Sequence, residues 1–180
     1  MKRFLVSSMV AAVAAIGFGG VAAFAGPAQN ISFFHGADGS AHWAPQQAAI
    51  VLSETTTPGA YAGAQLMHID STAPLVAPSF KDVDNVIGDG GGSPRLVIAF
   101  ADGGIVMGYR LQMSTSPQSD PLQWDSMVPF RYNVGYEAAL AAHSGSPVVA
   151  AYLVTDSGWE GHAYTNTISN VTYGDNTYAG

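Results

Sequence analysis

Residues 95–109 read RLVIAFADGGIVMGY. Two apolar runs, Leu96 to Phe100 and Ile105 to Tyr109, flank Ala101-Asp102-Gly103-Gly104. Asp-Gly supplies the positive φ that a tight connection between twisted strands requires, so the segment predicts a hairpin of two adjacent antiparallel strands. Outward from it, the chain is a series of short apolar stretches separated by Gly, Pro, Ser, Thr, Asn and Asp. That spacing favours an all-β, antiparallel β-sandwich over a helical or alternating α/β fold.

The predicted strands are Gln47 to Leu52, Ala60 to His68, Phe80 to Ile87, Arg95 to Phe100, Ile105 to Gln112, Val148 to Thr155 and Tyr164 to Tyr173. Within the last of these, Ile168 and Tyr173 are out of phase, which places a bulge or strand turn near Asn170. Tyr136 to His143 has a different period. Its helix formers put Tyr136, Ala139, Leu140 and His143 on one face, and Gly145 is positioned to stop it, so one short helix is expected over one end of the sandwich. Thr115 to Pro121 reads as a polar loop and Asn176 to Gly180 as a frayed tail. Phe33, Phe34, His35, His42 and Trp43 form an aromatic lead-in arm, expected to pair along the sandwich and bury its rings.

The N-terminus carries the features of a secretory signal: Lys2 and Arg3, an uncharged run from Phe4 to Phe24, and Ala23-Phe24-Ala25 as a small-x-small cleavage site before Gly26. An uncleaved membrane anchor is the competing reading of a run this long. Cleavage would leave residues 26–180 as one domain outside the cytoplasm, with no membrane insertion. Of the basic residues only Lys81, Arg95, Arg110 and Arg131 would remain against all 13 acids, a formal charge of about −9. Nucleic acid and anionic lipid are disfavoured partners for such a chain. The absence of cysteine removes disulfides, cysteine-based zinc sites and thiol nucleophiles.

Two segments stand out chemically. Gly88-Asp89-Gly90-Gly91-Gly92-Ser93-Pro94-Arg95 joins two predicted strands. Lacking the Lys-Ser/Thr and helix of a phosphate loop, it argues against nucleotide binding, and Arg95 is expected to pair with a carboxylate. Val154-Thr155-Asp156-Ser157-Gly158-Trp159 ends a strand in an acidic, aromatic turn. Trp159 there could stack on a sugar ring or plug the end of the core. Asp156, Trp159, Trp124 and Arg95 are accordingly the candidate ligand-binding residues.

In order, the G-G-G-S-P-R turn at 90–95, the hairpin, the helix at 136–143, Asp156-Ser157-Gly158-Trp159 and Ile168-Ser169-Asn170-Val171 resemble a group of uncharacterised secreted bacterial proteins. The resemblance covers about Tyr61 to Tyr173 and implies a jelly-roll-like sandwich; the group offers no activity to carry over. Leu96 stands where that group has an aromatic residue, and Ser169 where it often has Asp.

Asp82, Asp84 and Asp89, with Asp102 across the hairpin, could present hard oxygen ligands to Ca²⁺, although their spacing is not that of an EF-hand. The five histidines, His35, His42, His68, His143 and His162, show no zinc spacing, and Ser157 lacks a G-x-S-x-G elbow. Three functions fit: a non-catalytic domain binding carbohydrate or another cell-surface component, a glycan-acting hydrolase using a carboxylate pair such as Asp156 with Glu160, and a structural envelope or matrix subunit.

Overall fold

The computed structural model describes residues 30–57, 59–83, 94–109, 122–127, 129–156 and 163–179. Twelve strands and one helix follow in order: β1 (Ile31–His35), β2 (Gly39–Ala44), β3 (Ala49–Glu54), β4 (Tyr61–Leu66), β5 (Ser79–Asp82), β6 (Arg95–Phe100), β7 (Ile105–Tyr109), β8 (Gln123–Met127), β9 (Phe130–Arg131), α1 (Tyr136–Ala141), β10 (Val148–Asp156), β11 (Tyr164–Tyr173) and β12 (Asn176–Ala179). One sheet has the order β1-β4-β10-β6-β7-β8-β9 and the other β12-β11-β3-β2, with β5 also paired to β11. Every ladder is antiparallel. The chain crosses repeatedly from one sheet to the other, as in a β-sandwich.

The hairpin at 95–109 forms as its sequence requires. Ile98 faces Val106 across β6 and β7, and Gly103 adopts φ +84° at the turn. Alternation then sorts the side chains. Leu96, Ile98 and Phe100 join the main core with Ile50 and Leu52 of β3, Leu66 of β4, Leu153 of β10 and Ile168 and Val171 of β11. Val97, Ile105 and Met127 form a second cluster on the opposite face of the larger sheet. A strand with both faces apolar reads as a continuous run, which explains the unbroken Leu96–Phe100.

The aromatic arm becomes β1 and β2, with Phe33 and Trp43 packed on the core. α1 buries Tyr136 and Ala139, and His143 just beyond it is buried too. Asn170 has φ +49°, and the pairing of β11 with β5 shifts register between Ser169 and Thr172, that with β12 between Val171 and Thr172.

One local expectation is revised, and two strands go unanticipated. The supposed tail is β12: Tyr173 and Asn176 pair across a two-residue turn at Gly174-Asp175, and Tyr178 and Ala179 are buried. β8 was hidden because Asp125 and Ser126 break the apolar period, yet these two side chains are buried through hydrogen bonding, and β9 is only the two exposed residues Phe130 and Arg131. β5 ends at Asp82 and β7 at Tyr109 within the described residues, and the Thr115–Pro121 loop lies outside them.

β12 supplies a direct test of this architecture. The Tyr178 hydroxyl donates to the Met67 carbonyl at 3.0 Å while its ring sits in the core. Tyr178→Phe is expected to cost about 1 kcal/mol and Tyr178→Ala about 3 to 5 kcal/mol in denaturant unfolding. A frayed tail would show no loss in either variant.

Candidate functional site

Two of the four expected ligand residues meet. Arg95 opens β6 opposite Val154, and Asp156 lies two residues further along β10, so both fall on the same face and form an ion pair. The Arg95 side chain is 5% exposed and that of Asp156 25%. Burial pushes the Arg95 guanidinium down to about 10, against the attraction of Glu54. Glu54, at the end of β3, accepts from the Thr155 hydroxyl at 3.4 Å, and the Asn166 amide donates to Thr155 at 3.0 Å. A polar chain therefore runs between the sheets at this end of the sandwich.

The other expected residues do not join it. Trp124 is 3% exposed, lies over Gly108 and packs its ring 4.7 Å from that of Tyr136, so it belongs to the core rather than a ligand surface. Trp159 and Glu160 lie outside the described residues, as do Asp84 and Asp89. Asp82 is buried on β5. Asp102 is committed to the Gly104 amide at 2.8 Å and to His143. Among the described residues no three His, Asp or Glu side chains group as a metal site.

A constellation absent from the sequence reading appears at the opposite end of the hairpin. Ser126 Oγ lies 3.2 Å from His143 Nε2, and His143 Nδ1 lies 3.1 Å from Asp102 Oδ2. The imidazole stacks on Phe100 with centroids 4.8 Å apart. It also occupies the space over Gly104, where a Cβ would come within 2.0 Å of the ring. The atoms correspond to a Ser-His-Asp triad, but accessibility runs the wrong way. A nucleophile must be reachable and its orienting carboxylate sheltered. Here Ser126 is 0% exposed, while the Asp102 side chain is 42% exposed. Ser126 also donates to the Pro129 carbonyl at 3.0 Å, so its hydroxyl ties β8 to the β9 turn. No single sequence motif marks this set, because the three residues come from a turn, a strand and the end of α1.

The accessible chemistry lies on the outer face of the larger sheet, the face opposite the core. Pairing of Phe130 with Met127 places Phe130 on that side, and Tyr132 follows two residues later. Phe130 is 58% and Tyr132 61% exposed. Beneath them Tyr109 donates to Asp125 at 2.8 Å, and burial, then Asp125 and Tyr132, hold the Tyr109 phenol well above its ordinary range. At the other flank Phe34 lies over Gly63, 5.8 Å from Tyr152 and 6.5 Å from Tyr61, which is paired in register with Asp156. The lead-in arm was noticed in the sequence, but the remaining rings are scattered along the chain and only strand register gathers them.

Two substitutions check this electrostatic arrangement. Asp156→Ala leaves the buried Arg95 with Glu54 as its opposing charge and is expected to lower stability by about 3 kcal/mol. Hydrogen bonds from Gly104 and then His143 hold the Asp102 carboxyl below its ordinary value. Its contribution is therefore present above the unfolded carboxylate value of about 4 and is lost as pH falls through the lowered folded value. Asp102→Asn should flatten the acid limb of the stability profile there; an unchanged limb would show that the turn contributes nothing.

Compared with protein-family models, curated proteins and solved structures, the chain matches none of them.

Proposed function

We propose that the protein is a secreted, non-catalytic β-sandwich that binds carbohydrate or a related cell-surface component through the outer face of its larger sheet. The observation that carries this reading is the exposed pair Phe130 and Tyr132 on one side of the edge segment that ends this sheet. Aromatic faces of this kind stack on the C–H face of a sugar ring, and the phenol keeps a hydrogen-bonding tip at the water boundary. The second flank adds Phe34, Tyr61 and Tyr152, and burial holds the Tyr152 phenol above its ordinary range. Both flanks thus offer uncharged aromatic rings. The acid excess of the chain accords with a neutral polysaccharide better than with a phosphate-rich partner.

The burial of Ser126 supports a structural rather than a nucleophilic part for its pairing with His143. The residual hydrolase reading rests on Asp156 with Glu160, and calcium binding rests on Asp82 with Asp84 and Asp89.

Polysaccharide pull-down with wild type, Phe130→Ala and Tyr132→Ala tests the binding reading, with EDTA as a parallel arm. Each substitution is expected to weaken binding roughly tenfold. Phe130→Ala should change stability by no more than about 0.5 kcal/mol, since its ring is exposed, and Tyr132→Ala should cost about 1 kcal/mol, since its hydroxyl is hydrogen-bonded with Tyr109. Retention by no polysaccharide, or equal retention of all three proteins, discards the reading. Binding and melting that ignore EDTA discard calcium.

A further inference from the structure

We infer that the Asp102–His143–Ser126 chain is a protonation-dependent clamp on the β8–β9 turn and, through it, a regulator of the aromatic platform carrying Phe130 and Tyr132. The regulatory half rests on the binding reading above; the clamp stands on hydrogen-bond geometry alone.

The proton count is the reason. Ser126 has one hydroxyl proton and two acceptors within reach, Pro129 O at 3.0 Å and His143 Nε2 at 3.2 Å. On the other side of the ring, Nδ1 faces Asp102 Oδ2 at 3.1 Å. When the imidazole carries both protons, Nδ1–H donates to the carboxylate, Nε2–H donates to Ser126 Oγ, and the hydroxyl proton goes to Pro129. All three contacts are then satisfied. When the imidazole is neutral, Asp102 keeps the Nδ1 proton, and Nε2 becomes an acceptor that draws the Ser126 proton to itself. Pro129 then loses this donor at the residue immediately before Phe130. Ser126 and His143 are buried and satisfy one another in the neutral state, so the partner released is the carbonyl of the exposed Pro129.

The surroundings restrict what else can respond. From the β6–β7 turn the charged group against the ring is Asp102. α1 contributes Glu137, exposed in its first turn, and β9 contributes Arg131, exposed and paired in register with Ser126. β6 presents Phe100 and β7 no charged side chain to the ring, while the segment 71–75 nearby carries none. Among the described residues, Asp102, His143, Glu137 and Arg131 are therefore the ionisable groups at this junction.

The test follows the His143 ring by ¹⁵N chemical shift and the amides of residues 130–133 by hydrogen exchange, corrected for intrinsic rates, between pH 5 and 8. Wild type should lose protection at 130–133 by roughly three- to tenfold as the ring deprotonates, the effect of losing one hydrogen bond. Ser126→Ala should remove that pH dependence. If Ser126→Ala does not fold, Asp102→Asn decides: it favours the neutral ring, so protection at pH 5 should fall to the wild-type level at pH 8. Equal wild-type protection at both pH values, or undiminished pH dependence in these variants, overturns the clamp. Polysaccharide retention equal at pH 5 and 8 despite a working clamp overturns the regulatory half. Retention of no polysaccharide discards the binding reading while the exchange data still decide the clamp.

Discussion

β10 is hydrogen-bonded along both edges, to β4 on one side and β6 on the other, and its two faces meet different surroundings. Ala151 and Leu153 enter the main core, whereas Tyr152 and Val154 pack against the cluster on the outer face. A strand in this position fixes the register of its neighbours, because a slip by one residue would exchange the two faces. Leu153 is opposite Leu96 and Ala64 at once, so a single register sets the core contacts of three strands.

The same register brings the polar ends of strands together. Arg95 and Asp156 meet because β6 begins where β10 ends, and Glu54, Thr155 and Asn166 follow from the facing sheet and the inward face of β10. Ionic groups in such a place are stable only with their partners in position, which makes this end of the sandwich sensitive to loss of a single member. The opposite end is built differently. There Asp102, His143 and Ser126 join a turn, the end of α1 and β8 through hydrogen bonds under a Phe100 stack.

Triad-like atom order is therefore a weak guide to activity. In a serine hydrolase the hydroxyl opens to substrate and the carboxylate lies at the back. This protein places the carboxylate at the surface and the hydroxyl inside, where it is already bonded to a backbone carbonyl. Beside the exposed aliphatic residues Leu75, Val76 and Val149, two rings are open to solvent, Phe130 and Tyr132 at one edge of the larger sheet. Surface rings on a rigid sheet suit recognition, since the strand backbone holds them without further ordering on binding.

The sequence by itself determined the elements whose signals are local. Alternating and continuous apolar runs specified β6, β7, β10 and β11; Asp102-Gly103 specified their first hairpin; and the spacing of Tyr136, Ala139 and His143 specified the face of α1. It also anticipated an acidic partner for Arg95. Tertiary structure alone decided the rest. β8 and β12 could not be recognised from polarity, because Asp125, Ser126 and Tyr178 become buried only through partners 16, 17 and 111 residues away. Trp124, an exposed platform in prospect, lies in the core because strand pairing sets it over Gly108. The outer-face rings and the Asp102–His143–Ser126 chain have no spacing in sequence to reveal them. Strand register and the docking of α1 assemble both, and these are properties of long-range packing rather than of any segment alone.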